Sequence, residues 1–118
     1  PPPRLALGAA LVLEPLTGPQ RAPIERLLRR FFPLYLAGRG DQLAYFLPPG
    51  RRLAAVGGSY KLTSLVGLAE PRGTAGRRRA VLAALRVRDT RSGALYLLRY
   101  RVSLERRERW YVAAVNAT

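Results

Sequence analysis

The stretch from Ala80 to Val115, AVLAALRVRDTRSGALYLLRYRVSLERRERWYVAAV, decides the fold because it contains three strand-like segments separated by two short turns. Apolar side chains recur at every second residue, which is the period of a strand with one buried face. The predicted strands are Ala80–Asp89, Ala94–Glu105 and Arg109–Val115. The sequence therefore predicts an antiparallel sheet with one apolar face.

The turns predict the register of these strands. The turn Asp89-Thr90-Arg91-Ser92-Gly93 has the composition of a hairpin and pairs Asp89 with Ala94, while Arg106-Arg107-Glu108 pairs Glu105 with Arg109. The pairs that follow are Val87 with Tyr96, Ala83 with Tyr100, and Leu104 with Trp110. One choice of face then satisfies both hairpins, and it predicts the following core residues: Val81, Ala83, Leu85, Val87, Tyr96, Leu98, Tyr100, Val102, Leu104, Trp110, Val112 and Ala114.

The opposite face of the predicted sheet mixes arginine with exposed apolar side chains. We call it the outer arginine face, and its candidate docking residues are Arg86, Arg88, Leu95, Leu97, Arg99, Arg101 and Tyr111. Leu82 and Val115 share this face. Arginine beside exposed leucine and tyrosine is more typical of a protein-docking surface than of a merely solvated one.

Composition restricts the chemistry. The 118 residues have room for one hydrophobic core, and they include no cysteine and no histidine, which excludes thiol chemistry and the commonest acid/base group and metal ligand. Tyr96 and Tyr100 point into the hollow that is predicted between the helices and the sheet, where they could line a ligand pocket. They are better explained as core residues. Asp41 is interpreted as a helix cap and Asp89 as a turn residue. We therefore expect no enzyme activity, no metal and no cofactor. A small-molecule-binding or enzymatic domain is the weakest alternative.

The formal charge of +14, from 21 basic and 7 acidic residues, indicates anionic surroundings or partners. The candidate anion contacts are Arg77, Arg78, Arg79, Arg106, Arg107 and Arg109. With Tyr111 available to stack on a base, a nucleic-acid-binding domain is the main alternative to protein docking. Because these arginines are scattered along the chain, we expect nucleic-acid binding at low salt only.

Residues 23–118 are predicted to form one domain, with 1–22 as a lead-in strand (Leu5–Leu13) and linker, interpreted as a remnant of a preceding domain. A helix starting at Pro23 and ending at Gly38 carries the apolar stripe Ile24, Leu27, Leu28, Phe31 and Tyr35, with Pro33 on its polar side. A short helix from Asp41 buries Leu43 and Phe46. Strands Leu53–Val56 and Tyr60–Leu68 follow, the second with Tyr60, Leu62, Ser64, Val66 and Leu68 on one face. This order predicts an α+β fold in which helices cover the concave face of a curved antiparallel sheet.

Several segments resemble one family in the same order along the chain, from about Pro23 to Asn116. They are Phe31-Phe32-Pro33-Leu34-Tyr35-Leu36-Ala37-Gly38, Leu43-Ala44-Tyr45-Phe46-Leu47-Pro48-Pro49-Gly50, Gly58-Ser59-Tyr60-Lys61-Leu62, and Arg109-Trp110-Tyr111-Val112 with Asn116. They resemble the C-terminal domain of TcpC-like conjugation proteins of Gram-positive bacteria.

The resemblance implies the cone-shaped nuclear transport factor 2-like fold and a non-enzymatic assembly role in a type IV secretion-like apparatus. It also implies a place outside the cell membrane, other conjugation proteins as partners, and a membrane anchor outside this sequence. Self-association is a further partner hypothesis. The chain begins with Pro1-Pro2-Pro3 and contains no methionine, so we expect it to be part of something longer.

Overall fold

The computed structural model describes residues 13–56, 58–71 and 77–117. Its elements, in chain order, are strand β1 (Leu13–Pro15), helix α1 (Arg21–Leu36), a 3-10 helix (Gly40–Phe46), and strands β2 (Tyr60–Pro71), β3 (Arg78–Asp89), β4 (Leu95–Arg106) and β5 (Trp110–Ala117). The strands form one antiparallel sheet in the order β1-β2-β3-β4-β5. The predicted α+β class is therefore confirmed. The predicted lead-in strand Leu5–Leu13 lies outside the described residues except for Leu13, where β1 begins.

Helix α1 packs its apolar stripe against the sheet, as the sequence predicts. Ile24, Leu28 and Phe31 are completely buried, and they join one cluster with core residues of the sheet such as Val81 and Leu85. Phe32 and Leu36 widen this stripe. The charged residues of the helix lie on its other side, so the helix covers one face of the sheet and leaves the other face open.

The end of α1 is set by glycine. Gly38 has φ +75°, in the left-handed region, and the backbone N–H of Arg39 donates to the carbonyl of Leu34 at 3.0 Å, which closes the last turn. Pro33 lies inside the helix with an exposed side chain, as predicted. Val56 donates its N–H to the carbonyl of Tyr35 at 2.9 Å. The predicted strand Leu53–Val56 is wrong, because this segment binds the helix end instead of a neighbouring strand.

The 3-10 helix confirms the second predicted helical segment and corrects its cap. Leu43 and Phe46 are buried as expected. Asp41 lies in the first turn, the N-cap position is Arg39, and no side-chain cap hydrogen bond forms there. Asp41 therefore contributes at most a favourable charge at the helix start and not the predicted capping bond.

The first hairpin has the predicted register. Val87 pairs with Tyr96 and Ala83 with Tyr100. The Asp89 carboxylate accepts a hydrogen bond from the backbone N–H of Arg91 at 2.8 Å, which confirms its role as a turn residue.

The second hairpin differs from the prediction. Leu104 pairs with Val112 rather than with Trp110, and Trp110 pairs with Arg106. Leu104 and Trp110 are nevertheless both buried, because a slip of two residues keeps every side chain on its face. Beyond this point a β-bulge opposite Ser103 shifts the register, so that Val102 pairs with Val115. Val115, assigned to the outer face, packs against the core instead.

Strand β2 also contains irregularities that alternation could not reveal. The register shifts between Leu62 and Ser64 and again between Leu65 and Gly67. Leu62, Leu65 and Leu68 consequently face the core, whereas Val66, predicted to lie with them, is exposed. Each shift exchanges the two faces of the strand, which breaks the simple alternation.

Candidate functional site

The outer arginine face lies on the side of the sheet away from α1. On this face, arginine side chains of β3 lie beside apolar side chains of β4. Arg86 pairs with Leu97, and Arg88 pairs with Leu95. Leu95 is 57% exposed and Leu97 is 51% exposed. Diagonal neighbours across a sheet lie within reach of long side chains, so each leucine is bordered by guanidinium groups.

The positive charge of this face is not neutralised within the part of the chain that the structure describes. No carboxylate in those ranges pairs with any of its arginines, which are Arg86, Arg88, Arg99 and Arg101. Arg88 makes one long contact, from its guanidinium to the carbonyl of Gly93 at 3.4 Å. A complementary surface must therefore combine carboxylates with apolar groups.

Tyr111 does not contribute to this surface as predicted, because its side chain is only 6% exposed. The Arg109 guanidinium lies 4.4 Å from the centre of its ring, and its hydroxyl donates a hydrogen bond to the Glu108 carboxylate. That bond lowers the pKa of Glu108 and raises the pKa of Tyr111. Tyr111 is thus held by its neighbours and presents no open ring for a partner or a nucleic-acid base.

The hollow between α1 and the sheet is filled by aromatic side chains. Tyr100 is buried there, edge-to-face with Tyr35 at 5.7 Å and tilted against Phe32 at 5.7 Å. Burial raises the pKa of both Tyr35 and Tyr100, further from neutrality than that of an exposed tyrosine. Tyr96, predicted to enter the hollow, is 46% exposed and contacts Tyr60 at the sheet's far end.

Apart from the hydroxyls of Tyr35 and Tyr100, the described part of this hollow contains no side chain suited to acid/base or metal chemistry. Asp41 is exposed in the 3-10 helix, and Asp89 is occupied in the hairpin turn. Across residues 13–56, 58–71 and 77–117, no charged side chain is buried, and no cluster of acidic residues could hold a metal ion. In the same ranges, none of the helices is both long and apolar enough to cross a membrane.

A second surface lies near the start of α1, where two cavities of about 400 Å³ and about 510 Å³ adjoin. They share Gln20, Arg106 and Trp110, so we describe them together as the basic groove. The arginines that line it are Arg26, Arg30, Arg77, Arg79, Arg106, Arg107 and Arg109. Trp110 lines both cavities, and its Nε1 donates a hydrogen bond to the Gln20 side-chain oxygen at 2.9 Å.

The basic groove brings together most of the predicted anion contacts, together with residues the sequence did not single out. Arg77, Arg79, Arg106, Arg107 and Arg109 line it, whereas Arg78 does not. The polar groove residues that the sequence analysis did not single out are Gln20, Arg26, Arg30 and the carboxylate-bearing Glu108. In the sequence, Arg26 and Arg30 have the pattern of the solvent-exposed side of α1. They become part of a groove only because the packed structure brings them near the ends of β4 and β5.

Contacts within the groove divide its arginines into two groups. Arg107 contacts Glu105 at 2.5 Å, and Arg79 contacts Glu70 at 3.6 Å. Arg109 is also held by contacts within the chain. Its guanidinium donates to the backbone carbonyl of Tyr45 at 2.6 Å and lies 4.0 Å from the centre of the Tyr45 ring.

Two further groove arginines, Arg77 just before β3 and Arg106 at the end of β4, are both exposed. No carboxylate in the described ranges pairs with either of them.

The comparisons with known proteins concern the fold. No protein-family model matches the chain, and no curated protein matches it. Among solved structures, the fold is similar to that of a protein described as an Ntf2-like protein involved in plasmid conjugation, with a TM-score of 0.74 and 13% sequence identity. The match covers 88% of this chain and 42% of that protein, so the chain spans less than half of its length. The cone-shaped α+β fold is thereby shown, as the resemblance in the sequence implied.

Proposed function

We propose that this domain is a non-enzymatic assembly module of a bacterial conjugation apparatus, that it works through protein–protein contacts, and that its docking surface is the outer arginine face. The observation that carries the proposal is the pairing of exposed leucines with arginines on one open side of the sheet, at Arg86–Leu97 and Arg88–Leu95. Monomeric proteins rarely leave apolar side chains of this size grouped together without a partner.

The chemistry of the face favours an acidic protein as the partner. Four arginines with no carboxylate partner in the described ranges would be matched by aspartate and glutamate, and burial of Leu95 and Leu97 would add affinity that salt does not screen. A second copy of the chain is a poor match by charge, because the two faces would carry the same sign. The partner we infer is therefore another, acidic component of the transfer apparatus.

The assembly role is supported by the fold, which this chain shares with a protein described as involved in plasmid conjugation. The resemblance to TcpC-like proteins implies that the domain works on the extracytoplasmic side of the membrane, and we adopt that location as part of the proposal. The non-enzymatic part is supported by the hollow, where the described side chains are aromatic and the buried tyrosines have raised pKa values.

The test uses the full-length protein in donor cells. Changing Arg86, Arg88, Arg99 and Arg101 together to serine should reduce co-purification with other transfer proteins and lower the frequency of plasmid transfer, without lowering the thermal stability of the purified domain. A variant with four other exposed arginines changed to serine is the matched control, and it uses Arg29, Arg39, Arg51 and Arg52. Equal loss of transfer in both variants would attribute the effect to net charge and contradict the docking proposal.

A further inference from the structure

We propose that the basic groove is a binding site for a small ligand that carries two or more neighbouring phosphate groups. The site lies at the opposite end of β3 and β4 from Arg88 and Leu95, and it is independent of the docking surface. Arg77 and Arg86 are nine residues apart along the chain, or about 30 Å at roughly 3.3 Å per residue.

Like charges are crowded together in the basic groove. The backbone N–H of Arg106 donates to the carbonyl of Arg77 at 2.7 Å, so the two arginines leave adjacent strands at the same level. Arg79 and Arg107 line the same cavity. Like charges placed opposite each other on neighbouring strands are destabilising, and an anion held between them would relieve the repulsion.

Part of this positive charge is already held in place by carboxylates, and part is available to a ligand. Glu105 and Glu70 hold the guanidinium groups of Arg107 and Arg79, while Arg77 and Arg106 have no carboxylate partner in the described ranges. Within the Arg79–Glu70 pair, Oε2 of Glu70 and the Nε and one terminal nitrogen of Arg79 are buried without a hydrogen bond at proper geometry, so the pair leaves Arg79 donors unused. Guanidinium groups present several N–H donors in a planar fork that matches carboxylate and phosphate oxygens, and the concentration of positive charge here favours the more highly charged phosphate.

The size and shape of the basic groove also suit such a ligand. The arginine-rich cavity of about 510 Å³ lies in the usual range for small-ligand sites and is large enough for a di- or triphosphate. The adjoining cavity of about 400 Å³ combines the apolar side chains of Pro23, Leu27 and Tyr45 with arginines and the Glu108 carboxylate, and Tyr45 is 54% exposed. Glu108 would repel a further phosphate there, so this cavity suits a part of the ligand that carries less negative charge. The ligand we infer therefore has a clustered phosphate head and a less polar remainder.

The single tryptophan of the chain provides the readout. Trp110 lines both cavities, and the Arg106 guanidinium lies 5.9 Å from the centre of its ring. An anion that engages Arg106 should therefore change the fluorescence of Trp110. With tripolyphosphate as the probe, in 0.15 M NaCl, we expect a saturable fluorescence change and one-to-one binding by calorimetry.

The decisive comparison uses two variants that each remove two positive charges. Arg77→Gln with Arg106→Gln should weaken tripolyphosphate binding by at least about tenfold in calorimetry, because several charge-assisted hydrogen bonds are lost. Arg86→Gln with Arg99→Gln, on the outer arginine face, should change it by less than about twofold, since that charge is distant and screened. Thermal unfolding of both variants checks that they are folded.

The possible results separate cleanly. No binding at 0.15 M NaCl, equal weakening in both variants, or equal affinity for sulfate would overturn the proposal. Tighter binding of a single-stranded oligonucleotide through the same arginines would overturn it as well, and would assign the groove to nucleic acid. Displacement of tripolyphosphate by ATP would support it with a free nucleotide as the source of the phosphates, and displacement by vesicles that contain a polyprenyl diphosphate would support it with a lipid headgroup. None of these results bears on transfer defects caused by the outer arginine face.

Discussion

Val102 is completely buried, whereas its neighbour Arg101 is exposed on the opposite side of the same strand. Alternation along β4 produces this separation, and Val102 packs in the cluster that also contains Leu85 and Val112. The pair therefore defines the two sides of the sheet, one packed under α1 and one open.

Substitution at these two positions should have opposite outcomes. Val102→Asp buries an unpaired charge and should destabilise the domain by roughly 3–5 kcal/mol, enough to unfold most of it. Arg101→Asp changes an exposed side chain and should stay within about 1 kcal/mol of the parent. Urea unfolding followed by circular dichroism measures both. A stable Val102→Asp domain would contradict the face assignment and, with it, the outer arginine face.

A second prediction concerns the end of α1. Gly38 has φ +75°, and a Cβ added there would lie 3.0 Å from the carbonyl oxygen of Val56 and 3.3 Å from Gly58. Gly38→Ala should therefore lower the free energy of unfolding by more than the roughly 1–2 kcal/mol that a left-handed backbone alone costs an L residue. Gly50→Ala is the control, since Gly50 has φ +79° but nothing within 4 Å of the added Cβ. Equal losses would show that the contact with the Val56 segment is unimportant.

A third prediction follows from the hydrogen bond between Tyr111 and Glu108. This bond is the largest cause of the lowered pKa of Glu108, so Tyr111→Phe should raise that pKa toward its ordinary value. Because the folded-state pKa is depressed, the bond stabilises the fold above the unfolded pKa, and this contribution disappears as pH falls through the folded pKa. Titration of the glutamate carboxyl carbons by NMR measures the shift, and an unchanged Glu108 pKa in the variant would refute the assignment.

A fourth prediction separates protein docking from nucleic-acid binding. Binding of duplex DNA driven by the +14 charge should weaken with salt, with a logarithmic slope of about −0.9 per neutralised phosphate, and should fade near 0.15 M. Docking through Leu95 and Leu97 should persist there, because apolar burial is not screened. Filter binding of DNA and co-purification of the full-length protein, each across a salt series, provide the comparison. Tight DNA binding at 0.15 M that tracks transfer defects across variants would favour the nucleic-acid alternative.

Local pattern was enough to predict much of the fold. The stripe of α1 follows from the helical period, and the register of the first hairpin follows from the turn at Asp89, because both signals are contained in a few consecutive residues. The same alternation placed Arg86 and Arg101 on the outer side of the sheet, where the structure has them exposed.

Only the tertiary structure decided the remainder. The bulges in β2 and opposite Ser103 reverse the face of the residues beyond them. Val66 is therefore exposed, and Val115 turns toward the core. The alternation of apolar residues did not predict the positions of these bulges. The basic groove likewise cannot be predicted from the sequence, because its arginines come from α1 and from the ends of β3, β4 and β5. Alternation and turn composition act over a few residues and so are written in the sequence, whereas the meeting of distant arginines depends on how the strands and the helix pack.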